Sequence, residues 1–188
     1  ELAANSYAND EAIKHFTHAL ALTSEQDLIG RFELLLAREA IYGGQGKRAA
    51  QAKDLDELAV IASALNDPTA PARVELRRAD LKRLTSDIAS ALDTVQRAVS
   101  MAERAGNALL EARGYALLGR ILLQTGKESE AREWLELANE IAKTEGDLLL
   151  QALSLYDLGH TYFGNTQLTE AAERYREAQA IFETVPDR

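Results

Sequence analysis

The sequence predicts an all-α fold, a right-handed superhelix of stacked helix-turn-helix repeats, and three observations carry that expectation. The first is a fixed step of 40 residues: Asn66-Asp67, Gly106-Asn107 and Gly146-Asp147 recur at it, as do Leu118-Gly119 with Leu158-Gly159 and Glu130-Ala131 with Glu170-Ala171. Single positions keep the same step, Ala98 with Ala138 and Ala178, and Met101 with Ile141 and Ile181. Self-similarity of this kind marks units that bury a continuous core only by stacking on their neighbours. The second observation is composition: alanine and leucine dominate, β-branched residues are sparse, and the 188 residues hold 3 prolines (Pro68, Pro71, Pro186), which favours helices. The third is the recurrence of apolar residues three and four apart through nearly every segment, the period of an amphipathic helix.

Taken in order, Ala12, Phe16 and Ala19 mark the second helix of a partial repeat over residues 1–25. Residues 26–65 form a full repeat with small residues at Ala40, Ala52 and Ala59 and a turn at Gly43-Gly44-Gln45-Gly46. Residues 66–105 are entered through a loop containing Pro68 and Pro71 and hold Ala79, Ala91, Val95 and Ala98. The repeat 106–145 is the clearest. Its first helix carries Tyr115, Leu118, Gly119 and Leu122 and closes at Thr125-Gly126, a C-terminal glycine signal. Its second helix carries Ala131, Leu135, Ala138 and Ile141 and ends near Gly146. Residues 146–185 repeat this as Leu155, Leu158, Gly159 and Tyr162, then Ala171, Tyr175, Ala178 and Ile181. The small residues at 119/159, 131/171 and 138/178 let two helices approach closely while large residues fill the gaps beside them. No linker rich in Gly, Ser or Pro interrupts the pattern, so one continuous solenoid of nine or ten helices is expected.

Counted from Ala112, the series Tyr115-Leu118-Gly119-Leu122-Gly126-Ala131-Leu135-Ala138 resembles the tetratricopeptide repeat (TPR), and Leu155-Leu158-Gly159-Tyr162-Thr166-Ala171-Tyr175-Ala178 is its second copy. Thr166 stands where the family has glycine, and Lys143 and Glu183 where it has proline, which blurs the turns. The unit exceeds the usual length of 34 residues by about one and a half helical turns. The stretches Leu34–Tyr42, Gly46-Lys47-Arg48 and Ala52–Leu58 are also similar to the TPR regions of large bacterial signalling ATPases and transcriptional regulators. That resemblance implies a regulatory, effector-sensing arm of a longer chain, and a start at Glu1 rather than methionine fits a fragment.

Composition excludes several functions. With no cysteine there is no disulfide framework, thiolate chemistry or Cys-based zinc site. A net charge of −9 repels a phosphate backbone at long range, so nucleic acid is not an expected partner. No apolar run approaches the roughly 18–20 residues of a membrane span, and no signal peptide is visible; neither membrane association nor export is expected, and a cytoplasmic location is. Gly43-Gly44-Gln45-Gly46-Lys47 imitates a phosphate loop, but Ile41 occupies the place of its first glycine and Arg48 that of its hydroxyl. His15 and His18 share a helix face without a third metal ligand. The glutamates at 128, 130, 133 and 136 and at 170, 173 and 177 alternate with cations, as on a solvated face. No nucleophile and base converge; the expectation is no enzyme, no metal and no cofactor.

What remains is binding. The TPR resemblance implies that first helices line a concave wall, through Arg113, Ala116, Arg120, Leu123 and Gln124 in one repeat and Leu153, Tyr156, His160, Phe163 and Gly164 in the next. The repeat before them supplies Arg73, Leu76, Asp80, Arg83 and Leu84. Arg73, Arg83, Arg113 and Arg120 then suit the carboxylates of an acidic peptide, because the planar guanidinium pairs with them in bidentate fashion. Gln124, Tyr156, His160 and Phe163 complete the groove. The alternative is that the arginines bridge neighbouring helices through Asp80 or nearby glutamates. On the first reading the acids lie outside and the arginines inside. Finally, Ala3, Ala4, Tyr7 and Ala8 begin mid-repeat and the last helix presents Tyr175, Ile181 and Phe182. Since solenoids need polar caps, these ends are expected to allow self-association.

Overall fold

Helix starts recur with the repeat step. The side chains of Asp27, Asn107 and Asp147 each accept the backbone N–H three residues on, from Gly30, Leu110 and Leu150, which satisfies a donor that the helix leaves without a partner. Asp67 does this one residue early, accepting from the N–H and hydroxyl of Thr69. In the computed structural model, which describes the backbone of residues 2–185 and the side chains of residues 8–185, nine helices follow. They are α1 (Leu2–Leu22), α2 (Leu28–Gly44), α3 (Arg48–Ala64), α4 (Ala70–Leu84), α5 (Ile88–Arg104), α6 (Ala108–Gln124), α7 (Glu128–Glu145), α8 (Leu148–Gly164) and α9 (Leu168–Phe182). The side chains of Ala3, Ala4 and Tyr7 lie outside the described residues.

Two turn expectations are corrected. Gly43 and Gly44 belong to α2, and the turn contracts to Gln45-Gly46-Lys47. Pro71 lies in the first turn of α4, where the amide hydrogen it lacks would have had no intrahelical partner. The turns inside the hairpins share one left-handed residue at a 40-residue spacing: Gly46 (φ 68), Ser86 (φ 64), Gly126 (φ 72) and Thr166 (φ 60). Thr166 thus keeps the family turn without the family glycine.

The core is set by matched sizes between paired helices. A β-carbon on Gly119 would stand 2.4 Å from Cγ of Leu135, and one on Gly159 2.4 Å from Cε1 of Tyr175. One step earlier Ala79 and Val95 share a core cluster. The smaller first-helix residue therefore accompanies the larger second-helix residue, as close packing requires. At the equivalent place in α2 stands Glu39, only 2% exposed. Its carboxylate receives Gln51 Nε2 at 2.7 Å and Arg77 Nη1 from α4, so the buried charge is paired and hydrogen-bonded.

The helix α4 departs from the pattern further. Glu75, Arg78 and Lys82 occupy the places that Tyr115, Leu118 and Leu122 fill in α6. An ion-pair chain runs there from Asp56 on α3 through Arg78 and Glu75 to Arg97 and Asp93 on α5. Lys82 donates to Thr94 at 2.7 Å.

Successive first helices touch: α4 packs on α6 and α6 on α8, while no comparable packing joins α3 to α5, α5 to α7 or α7 to α9. The first helices therefore form the inner side of the curve.

Candidate functional site

The wall formed by α4, α6 and α8 carries the residues that the sequence nominated, and each of its four arginines already faces a carboxylate. Arg73 Nη2 lies 3.1 Å from Glu33 Oε1 on α2, with its guanidinium 5.0 Å from the centre of the Phe32 ring. Arg83 Nη2 lies 2.8 Å from Asp80 Oδ1 on its own helix. Arg113 Nη2 lies 3.0 Å from Oδ2 of Asp147, the N-cap of α8, and Arg120 Nε 3.5 Å from Oδ2 of Asp157 on α8. The expected segregation of arginines inside and acids outside is therefore corrected. Neighbouring first helices lie close enough for one to neutralise the other, which removes the repulsion of like charges stacked at the repeat step.

Asp157 is the centre of this arrangement. Its carboxylate is half-buried between first helices, and burial pushes its pKa above the ordinary carboxylate range against the pull of Arg120, His160 and Arg83. Of the three, Arg120 of α6 is the one paired with it, while Arg83 of α4 is paired with Asp80. Asp147 behaves oppositely. Burial raises it, but the Leu150 N–H and Arg113 outweigh that and hold its pKa below the usual value. Neither aspartate was among the nominated residues. Asp147 was visible as the Gly146-Asp147 pair, and Asp157 as a charge at a place held by Leu117 one step earlier.

Beside Asp157 the aromatic residues gather in part. Tyr156 and His160 meet edge to face at 4.7 Å between ring centres, and Tyr175 from α9 joins at 5.6 Å from Tyr156 and 5.5 Å from His160. Phe163, 60% exposed, stands outside this cluster, and Gln124 is exposed at the C-terminal end of α6. Among the described residues, no three His, Cys, Asp or Glu side chains lie together as a metal site would need. No described helix is long and apolar enough to cross a membrane.

Comparison with known proteins places the repeat and the fold. Residues 112–145 match the tetratricopeptide repeat family. No curated protein matches the sequence. Among solved structures, BtubC (BKLC) from P. vanneervenii is similar over 96% of this chain and 73% of its own, at 16% identity and a TM-score of 0.72. A Rap protein complexed with Competence and Sporulation Factor is similar over 95% of this chain, at 19% identity and a TM-score of 0.79; the chain spans 51% of its length. MamA is similar over 96% of this chain and 92% of its own, at 20% identity and a TM-score of 0.59. The chain is an all-α, TPR-like solenoid.

Proposed function

We propose that this chain is a docking module that holds a peptide or protein segment, acidic where it meets the arginines, along the wall of α4, α6 and α8, with no chemistry of its own. The observation that carries this reading is the loose Arg120–Asp157 pair between α6 and α8, beside the Tyr156–His160–Tyr175 cluster. At 3.5 Å the Arg120–Asp157 contact is the longest of the four arginine pairs, and its acid is poorly solvated. Arg120 therefore has the most to gain from an incoming carboxylate. The aromatic cluster supplies the apolar anchor that such interfaces use. The Rap protein, of similar fold, was solved in complex with a factor, which is compatible with a ligand-holding role here.

The test is binding of labelled acidic, basic and apolar peptides to the chain and to its Arg113→Gln/Arg120→Gln form. Glutamine is the better probe, because glutamate would oppose Asp147 and Asp157 and unsettle the fold. Acidic peptides that bind the parent and weaken at least tenfold in the variant support the reading. Equal binding by both forms, or none by either, assigns the arginines to the scaffold.

A second reading is favoured by the aromatic cluster alone: the chain serves as an effector-sensing arm of a larger signalling ATPase or transcriptional regulator. It requires a small effector that perturbs the Tyr156 and Tyr175 fluorescence without any peptide.

A further inference from the structure

On the outer face, successive second helices stand apart over a first helix, which leaves a groove at each repeat step. Three of these grooves are closed by an arginine of the chain itself. Over α2, Arg38 bridges Thr17 of α1 and Asp54 of α3. Over α4, Arg78 and Arg97 reach Asp56 and Glu75 between α3 and α5. Over α8, Arg132 of α7 holds its guanidinium 4.0 Å from the centre of the Tyr162 ring and donates to Gln167 at 3.1 Å. Over α6, between α5 and α7, none of these arginines recurs. Leu118 stands where Arg38 and Arg78 stand, Leu137 where Arg97 stands, and Leu92 where Arg132 stands.

The groove over α6 is instead aromatic and acidic. Tyr115 and Trp134 stack there at 5.2 Å between ring centres and 26° between planes. Trp134 and Leu137, one turn apart on α7, are each 37% exposed, and α7 has α5 and α9 on either side. Adjacent large apolar residues left open on an outer face mark an interaction surface. Burial, then Glu111 and Glu103, raise the Tyr115 hydroxyl above its usual pKa, which puts both carboxylates beside the ring. Glu133 and Glu140 flank Leu137 one turn away on α7. None of these four glutamates forms an ion pair among the described residues. α7 as a whole carries six acids against Arg132 and Lys143, and Arg132 is turned to Tyr162 on the far side.

We infer that the groove between α5 and α7 takes a basic, amphipathic segment of a protein partner. An arginine or lysine of that segment lies against Trp134, as Arg132 lies against Tyr162, and an apolar residue covers Leu137. Tryptophan is the strongest aromatic partner of a cation, and the unpaired glutamates at the rim complete the match of charge. The net charge of −9 favours the approach of such a segment. This surface lies on the outer side of the curve and selects cations, whereas the wall of α4, α6 and α8 lies on the inner side and selects acids. The two readings therefore fail separately.

Trp134 is the one tryptophan of the chain, so its emission reports on this groove. The probe is an alanine-based helical peptide with leucines and arginines three and four apart. Titrated into the whole chain, it should change Trp134 emission to a plateau, while the same peptide with glutamates for arginines should not. Leu137→Arg, which closes the groove as Arg97 closes the one before it, should weaken binding about tenfold or more. Glu103→Gln/Glu111→Gln should weaken it several-fold. Far-UV circular dichroism should show both variants folded, since none of these residues is buried. Absence of a saturable change overturns the inference, as does unchanged affinity in Leu137→Arg. Equal binding by a peptide with serines for leucines would reduce the effect to charge alone and overturn it too. Binding lost in Arg113→Gln/Arg120→Gln but kept in Leu137→Arg would place the peptide on the inner wall instead. Light scattering that shows a dimer dissociated by Leu137→Arg would give the groove to a second copy of this chain and equally overturn it.

Discussion

Gly119 lies so close to Leu135 that a β-carbon would come within 2.4 Å of Cγ, 2.7 Å of Cδ2 and 3.1 Å of Cδ1. Leu135 is fully buried and has nowhere to retreat. Gly119→Ala should therefore destabilise the chain by about 1–2 kcal/mol, the overpacking cost less the helix propensity that alanine adds. Gly159→Ala should cost less, because the half-buried Tyr175 ring borders a cleft into which it can swing. Urea denaturation of both variants checks the order; a Gly119→Ala variant as stable as the parent would mean that α6 and α7 part easily.

At Thr166 the backbone is left-handed (φ 60) and the side chain is β-branched, a combination that sterics disfavour by about 1–2 kcal/mol. Thr166→Gly should raise stability by about 1 kcal/mol, and Ser86→Gly by somewhat less. The reverse change, Gly126→Thr, should lower it, although open space surrounds that position. Melting temperatures of the three variants separate backbone strain from packing.

Asp157 supplies a pH signature. Burial raises its pKa above the 3.8 of an aspartate in water, so between those two values the folded chain binds a proton that the unfolded chain has released. Stability from this group is thus fully present below the unfolded pKa and is lost as pH rises through the folded one. Asp157→Asn removes that loss. The stability difference between variant and parent should shift in favour of the variant as pH rises across the window, then stay level toward neutrality. A difference independent of pH would show that Asp157 ionises as it does in water.

Glu39 occupies a place that Ala79, Gly119 and Gly159 hold in the other repeats, and it is retained by Gln51 and Arg77. Glu39→Ala should cost about 2–4 kcal/mol, since it leaves a small void and strips the buried Gln51 amide of its acceptor. Adding Gln51→Leu should recover part of that loss. A double-mutant cycle measures the coupling.

The period and the small-against-large pairing were legible because each repeats at forty residues. What escaped was chemistry that does not repeat. The left-handed turn was visible at Gly126 but not at Ser86, because serine does not announce a positive φ. The four arginines were nominated from position, yet the acids that face two of them, Asp147 and Asp157, were not. A sequence column reports which face a residue occupies, not what stands opposite on the next helix. Pro71 was placed in a loop because proline breaks helices in their interior, whereas in a first turn it costs nothing.

The charged layer at α4 bears on how the chain comes apart. A repeat array is held by nearest-neighbour coupling alone, and between α3 and α5 that coupling runs through Asp56, Arg78, Glu75 and Arg97 as well as through the apolar contacts of Val74, Leu76 and Leu81. Apolar contacts are indifferent to added electrolyte at modest concentration, whereas pairs this open to solvent are screened over a Debye length of about 3 Å in molar salt. In dilute buffer the chain should melt in one transition; in strong salt the segment before α4 should loosen ahead of the rest. Ionic strength, not heat alone, then sets how many cooperative blocks the molecule has.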